Sequence, residues 1–243
     1  MADSATFIVE NRISELNLND ARISLNTFVN ALGRHRDGRL DWFRASRIID
    51  QEAELLACRE QVTNMRISRF SPADWVDTDH ADSLTKLLEL LDSLRATGRL
   101  TEYGRLDALR LRADGFVNRR LRDGDIIQLR TDELHEVFVW NVQDGFLAKP
   151  HAPSKFAYAY VGYSLADGVV RGDYAYSISP DGDVTLLGIA THNQSNLVIE
   201  PGTLLFLPPP GFGRSEQKAF SCIAQVLSYQ DMNAFDITRQ RRD

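Results

Sequence analysis

The sequence predicts an α+β protein in which a helical segment is followed by an antiparallel β-barrel. Over roughly the first 115 residues, apolar side chains recur at helical spacing. From Phe116 onward the chain consists of short apolar runs, several of them ended by Asp-Gly turns, which is typical of a β-sandwich or barrel. We therefore expect a helical segment over residues 1–115 and a barrel over residues 116–243, packed together as one unit.

Four helices are predicted in the first segment. A leucine stripe runs through the third and indicates a face packed against a core, and Gly98 is expected to end that helix. The predicted helices cover residues 19–33, 40–62, 71–98 and 101–115.

Eight strands are predicted in the second segment. Each is a run rich in β-branched or aromatic residues, and no helix-length pattern is expected to interrupt them before the C-terminal tail. The runs are "DIIQLR", "HEVFVWNV", "KFAYAYVGYS", "DYAYSIS", "DVTLLGIA", "NLVIE", "TLLFLP" and "FSCIAQVLSY".

Composition limits the classes of partner and the cellular location that can be expected. The formal charge of −6 argues against a nucleic-acid partner, since such proteins usually present a basic face. No apolar run approaches the ~20 residues that a membrane-spanning helix needs, and the N-terminus lacks the pattern of a signal peptide. Cys58 and Cys222 have no CxxC partner, so we interpret both as buried free thiols in a reducing compartment. The prediction is a soluble cytoplasmic protein.

Two spacings in the second segment point to a known family. Gly145 is followed by five residues and then His151, and Gly202 is followed by five residues and then Pro208. These spacings resemble the two motifs of the cupins, which are small jelly-roll barrels. The second histidine position of the first motif holds Pro153, and the histidine position of the second motif falls on Gly213 or Arg214. Most of the metal ligands that the motifs would supply are therefore missing.

Within the cupins, the order of parts resembles the thiol dioxygenases, the cysteine dioxygenase group. Those proteins also begin with helices, place a strand carrying tryptophan before the first motif, and end on a segment like "VLSYQDMNAFD". The resemblance implies an amino-acid-like or thiol metabolite in the barrel lumen, and iron held by three imidazoles. Here one of those imidazoles, His151, is present, so the resemblance implies a degenerate metal site.

His151 is the first candidate catalytic residue, because its motif position directs the ring into the lumen and imidazole titrates near neutrality. Some cupins without metal pair such a histidine with a tyrosine for proton transfer, as sugar epimerases of this fold do. By that analogy, Tyr158 or Tyr160 would act as the acid. Phe156, Tyr158 and Tyr160 alternate, so on a strand they would share one face that lines the lumen or packs against the helices.

Further residues are predicted to bind the substrate. Arg171 and Arg214 are placed at the barrel mouth by motif position, and Arg214 could hold a carboxylate through a bidentate pair. Tyr174 belongs to a second aromatic strand face. No metal site is expected, because a single histidine does not hold iron or zinc tightly. A rebuilt site would use His151 with His192, so iron is the less favoured possibility.

The sequence therefore predicts a cupin-like protein that binds a small metabolite. Whether it is an enzyme is left open: it would be oxygenase-like, or a metal-independent acid–base catalyst. The alternative is a non-catalytic cupin that serves as a sensor or a partner-binding module. Expected partners are a small-molecule ligand and no nucleic acid or membrane, and a homo-oligomer remains open.

Overall fold

A computed structural model describes residues 4–9, 12–17, 41–69, 78–100, 126–130, 135–161, 172–212, 216–230, 235 and 238–239. The chain divides into two compact units. The first comprises Met1–Ile49 and Gly98–Glu133, and the second comprises Asp50–Thr97 and Leu134–Asp243.

The first unit is built on a five-stranded sheet with the order β2-β1-β5-β3-β4. Strands β1 and β2 are antiparallel, β1 runs parallel to β5, and β3 runs antiparallel to β5. The strands are β1 Ser4–Val9, β2 Arg12–Asn17, β3 Asp41–Asp50, β4 Thr97–Leu100 and β5 Ile126–Arg130.

The sheet corrects the prediction that the first 115 residues are mostly helical. The predicted second helix is split at Asp50: β3 comes before it, and a helix begins at Glu52. The Asp50 carboxylate accepts the backbone N–H of Glu52 at 3.0 Å, as an N-terminal helix cap does, and this local bond separates the two elements. The predicted helices over residues 19–33 and 101–115 lie outside the described residues.

The second unit contains a six-stranded mixed sheet with the order β11-β7-β6-β10-β8-β9. Pairs β6–β7, β8–β10 and β8–β9 are antiparallel, whereas β6–β10 and β7–β11 are parallel. The strands are β6 Glu136–Asn141, β7 Gly145–Pro150, β8 Tyr174–Ile178, β9 Val184–Gly188, β10 Leu204–Phe206 and β11 Thr238–Arg239.

The α+β class is thus confirmed, and the jelly-roll barrel is not. Among the described strands the sheet is open, and its parallel pairs require connections that cross over the sheet rather than simple hairpins. Strands were correctly predicted at β5, β6, β8, β9 and β10, where each apolar run is paired with a neighbour.

Four helices are described: α1 Glu52–Arg69, α2 Thr78–Ser93, α3 Ala157–Val161 and α4 Gln217–Ser228. Helix α2 confirms the predicted leucine stripe, since Leu84, Leu87 and Leu91 are buried. Helices α3 and α4 replace two predicted strands, "KFAYAYVGYS" and "FSCIAQVLSY". In α4 the buried residues recur every three to four positions and form one apolar face. That period outweighs the strand preference of the individual residues.

Both faces of the six-stranded sheet are covered. Side chains that alternate along β6 belong to two different cores, with Phe138 and Trp140 in one and Val137 and Val139 in the other. The first core also contains residues of α1, α2 and α4, and the second contains residues of α3 together with Ile199. Burial on both faces explains why the β6 and β10 runs are apolar without alternation.

The prediction of two free cysteines is wrong. Cys58 on α1 and Cys222 on α4 form a disulfide across 164 residues, with their Cα atoms 5.6 Å apart. Sequence spacing could not show this pairing, because the packing of two distant helices brings the residues together. The disulfide removes the basis for the predicted reducing compartment. None of the described helices is long and apolar enough to cross a membrane.

Candidate functional site

The candidate site begins at the turn that follows β7. His151 extends the β6–β7 ladder by one residue, since its backbone N–H donates to the carbonyl of His135 at 2.8 Å. The next residues form a β-turn closed by the bond from the Lys155 N–H to the Ala152 carbonyl at 3.3 Å. Pro153 and Ser154 occupy its centre, and Ser154 has a φ of 63°. Proline followed by a positive φ is the pattern of a type II turn.

Pro153, which the sequence resemblance aligned with a second histidine, therefore has a structural role in this chain. Proline presets the φ angle that the first central residue of such a turn requires. Pro153 has no side-chain donor atom, and Ser154, which follows it, occupies a backbone region that non-glycine residues rarely adopt.

Tyr160, which lies on α3, stabilises this turn by hydrogen bonds. Its hydroxyl accepts the backbone N–H of Ala152 at 2.9 Å and donates to the carbonyl of the same residue at 3.0 Å. The Lys149 ammonium group in turn donates to the carbonyl of Tyr160 at 2.6 Å. The single hydrogen of the Tyr160 phenol is thus used within the fold. This arrangement suits a positioning residue better than an acid catalyst.

The His151 ring is oriented by a backbone carbonyl. Its Nε2 atom lies 3.0 Å from the carbonyl oxygen of Ile199. Because a carbonyl oxygen can only accept, Nε2 carries the hydrogen, and in the neutral ring Nδ1 keeps its lone pair. The residue is half-buried. His151 therefore offers a hydrogen-bond acceptor or a base at Nδ1.

Apolar and aromatic residues lie near this histidine in the sequence and in the backbone pairing. Phe156 forms an isolated antiparallel bridge with Val198, and the rings of Phe156 and Tyr158 stack with centroids 5.7 Å apart. Leu197 and Val198 are 45% and 48% exposed, which is high for aliphatic residues. We define the His151 face as His151, Phe156, Tyr158, Leu197 and Val198.

The structure corrects the expected geometry of the aromatic residues. Tyr158 and Tyr160 lie on α3, where residues two apart do not share a face, rather than on one face of a strand. Tyr160 is buried, whereas Tyr158 is partly buried against the second core. The predicted site residues nonetheless lie close to His151. Tyr160 hydrogen-bonds to Ala152 in the turn after His151, and Phe156 comes directly after that turn.

Tyr174 does not join this cluster. It begins β8 at the end of the sheet where β10 finishes, whereas His151 follows β7 at the opposite end. A strand of this length separates the two ends by roughly 20 Å. His192 lies near Tyr174, since the Asn193 side chain donates to the carbonyl of Asp173 at 3.0 Å. Arg171 and Arg214 lie outside the described residues.

The positions of the two histidines argue against the rebuilt metal site. His151 and His192 lie at opposite ends of the sheet, so they cannot bind the same ion. Within the described part of the chain, no group of three or more His, Cys, Asp or Glu residues could hold a metal ion. The expectation of a metal-free protein stays a prediction.

Several residues that shape the site could not be recognised from the sequence. Ile199 and Ala152 contribute only backbone atoms, which no side-chain pattern can reveal. Leu197 and Val198 belong to the run "NLVIE", which was predicted as a strand; the structure has an isolated bridge at Val198 and leaves both side chains exposed. An apolar pair with that exposure could be recognised only from the fold.

Tyr176, in the middle of β8, is a titratable residue with a perturbed pKa. Burial raises the pKa of Tyr176, and its contact with the Gln217 side chain lowers the pKa to a smaller extent. The Tyr176 hydroxyl donates to the carbonyl of Gln217 at 3.2 Å. Tyr176 therefore ties β8 to the start of α4, and it does not contribute to the His151 face.

Comparisons with known proteins do not assign the chain to a family. No protein-family model matches it, and no curated protein matches it significantly. The His151 face is therefore the basis on which a function can be assigned.

Proposed function

We propose that this chain binds a small molecule on the His151 face. The observation that carries the proposal is the bond between His151 Nε2 and the Ile199 carbonyl, which leaves Nδ1 as the acceptor. A few residues along the chain, the stacked rings of Phe156 and Tyr158 offer an aromatic surface. An oriented polar atom beside apolar and aromatic side chains is the usual composition of a small-molecule site.

The geometry suggests the class of ligand. A flat or apolar group would pack against Phe156 and Val198, and an N–H or O–H group would donate to His151 Nδ1. The resemblance to thiol dioxygenases implies an amino-acid-like or thiol metabolite, and both kinds of molecule carry such donors. That resemblance rests on the spacing of Gly145, His151, Gly202 and Pro208. The resemblance remains part of the proposal, whereas the described strands form an open mixed sheet.

Catalysis, if present, would use the same lone pair. His151 Nδ1 would take a proton from the bound molecule, and Tyr158 is the better candidate acid because the Tyr160 hydroxyl is committed to Ala152. This is acid–base chemistry without iron, in line with the single histidine of the motif.

A protein partner is the second candidate. The exposure of Leu197 and Val198 favours it, because neighbouring aliphatic residues that face solvent often belong to contact surfaces. In that case the chain would be a partner-binding module, and His151 would contribute a hydrogen bond to the interface.

The test is a screen of amino acids, thiols and aromatic metabolites by ligand-observed NMR and thermal stabilisation. A ligand at 100 times its dissociation constant adds about 2.7 kcal/mol to stability. We expect His151→Ala and Phe156→Ala to lose that stabilisation, and His192→Ala, on an exposed loop at the opposite end of the sheet, to keep it. Equal binding by all three variants would place the ligand elsewhere. If no small molecule binds but Leu197→Ser abolishes capture of a defined protein partner, the second candidate is correct.

A further inference from the structure

The disulfide joins two cysteines that differ in exposure. Cys58 is 0% exposed within the core between the helices, whereas Cys222 is only partly buried on α4. Thiol–disulfide exchange begins when a thiolate attacks one of the two sulfur atoms, and access decides which atom is attacked. Because Cys58 is wholly buried, an external thiol that attacks the folded protein must approach from the side of Cys222.

Gln61 lies beside this disulfide on α1. It follows Cys58 by three residues and so shares its side of the helix. Its Nε2 atom donates weakly to the Cys222 sulfur at 3.7 Å. Its Oε1 atom is buried and has no hydrogen-bond partner in the described part of the structure. A buried acceptor without a donor is unfavourable, and neither sulfur of a disulfide carries a hydrogen that could satisfy it.

We propose that this disulfide is exchangeable, that Cys222 is the site at which a small thiol forms a mixed disulfide, and that Gln61 favours the reduced form. The thiolate bonds to the Cys222 sulfur while the bond between Cys58 and Cys222 breaks. The electron pair passes to the Cys58 sulfur, which takes a proton from water. A second thiol then releases Cys222 as a free thiol and leaves as the oxidised dimer of the reagent.

The reduced form gains a hydrogen bond that the oxidised form lacks. A thiol carries a weak S–H donor. Reduction gives each of the two sulfur atoms such a hydrogen, so Oε1 can accept from one thiol while Nε2 keeps its contact with the other. The oxygen of the Gln61 amide is therefore satisfied only in the reduced form. Exchange should still be slow, because the leaving sulfur of Cys58 is buried and its charged form is poorly solvated.

Mapping the adduct tests the attacked sulfur. The folded, oxidised protein is incubated for hours with a mixture of reduced and oxidised glutathione, quenched with acid, digested and examined by mass spectrometry. We expect glutathione on the peptide that contains Cys222 in at least tenfold excess over the peptide that contains Cys58. Comparable labelling of both cysteines, or no adduct without denaturant, would overturn the proposal.

Redox titration tests Gln61. We expect Gln61→Leu, and the flexible alternative Gln61→Met, to lower the equilibrium constant for reduction about tenfold, which corresponds to about 30 mV for a two-electron couple. Glu60→Leu, an exposed neighbour on the same helix, is the matched control and should leave the constant unchanged. An unchanged or increased constant in both Gln61 variants contradicts the assigned role of Gln61.

Discussion

The Tyr160 hydroxyl hydrogen-bonds to both the N–H and the carbonyl of Ala152, eight residues earlier in the chain. One phenol thereby satisfies both backbone groups of the residue next to His151. Tyr160 itself is buried in the second core, so the turn is attached to the sheet through a packed ring. The orientation of the His151 face therefore depends on Tyr160, whose hydroxyl hydrogen is already donated to a backbone carbonyl.

Tyr160→Phe should loosen this turn while preserving the packed ring. Two hydrogen bonds are lost, so we expect the free energy of unfolding to fall by about 1–3 kcal/mol, measured by urea denaturation. Tyr158→Phe is the matched control and should change stability by less than about 0.5 kcal/mol, because no hydrogen bond to its hydroxyl is seen in the described residues. Equal effects of the two substitutions would contradict the positioning role of Tyr160.

Ser154→Gly should stabilise the protein. Ser154 has a φ of 63°, where an L side chain costs about 1–2 kcal/mol, and glycine avoids that cost. Glycine also loses more backbone entropy on folding, by about 0.5–1 kcal/mol, so a net gain of up to about 1 kcal/mol is expected. The measurement is again the urea midpoint. Ala159→Gly, within helix α3, should destabilise instead, and a loss of stability in Ser154→Gly would refute the strain at this turn.

Gln230 should contribute to the free energy of unfolding although its side chain is polar. Its buried side chain accepts the N–H of Arg95 and donates to the Arg95 carbonyl, both at 3.1 Å, and Gln51 donates to that carbonyl at 2.7 Å. These bonds join the end of α2 to the end of α4 and the start of α1. We expect Gln230→Leu to cost about 1–3 kcal/mol, because it leaves a backbone N–H without its partner.

The matched control for Gln230 is Gln225→Leu. Gln225 is exposed on α4 and bonds to the Tyr229 hydroxyl at 2.9 Å, so its replacement should cost less than about 0.5 kcal/mol. Comparable losses in the two variants would show that the Arg95 bonds contribute little.

Tyr176 should make stability sensitive to alkaline pH. Burial raises its pKa in the folded state above the ordinary value of 10.0. Below pH 10 both states hold the proton, so the contribution to stability is constant. As pH rises from about 10 through the folded-state pKa, the unfolded state releases its proton first, and stability falls. We expect Tyr176→Phe to reduce this alkaline loss, measured as the pH dependence of the urea midpoint, and an unchanged slope would contradict the raised pKa.

Several elements could be predicted from the sequence because the structure that their local pattern favours is also the one that their packing requires. The leucine stripe of α2 and the turn-bounded runs of β6 and β8 are examples. Helix α4 could not be predicted from residue preference, although its buried positions recur at helical spacing. The boundary at Asp50 was missed because a strand and a helix of similar composition follow one another without a glycine or proline between them.

The candidate site was predicted in part for the same reason. His151, Phe156, Tyr158 and Tyr160 are near neighbours in the chain, so any compact local fold keeps them together. Tyr174 would join them only in a closed barrel, and the strand register separates it from His151.

By itself, the sequence determined the α+β class and most strands of the second unit, and it singled out the segment from Gly145 to Tyr160 as the candidate site. These depend on local periodicity and on residues close in the chain. Only the tertiary structure decided the Cys58–Cys222 disulfide, the open sheet and the carbonyl of Ile199 as the partner of His151. Each depends on contact between residues far apart in sequence, and such contacts are set by packing and strand register rather than by local residue preference.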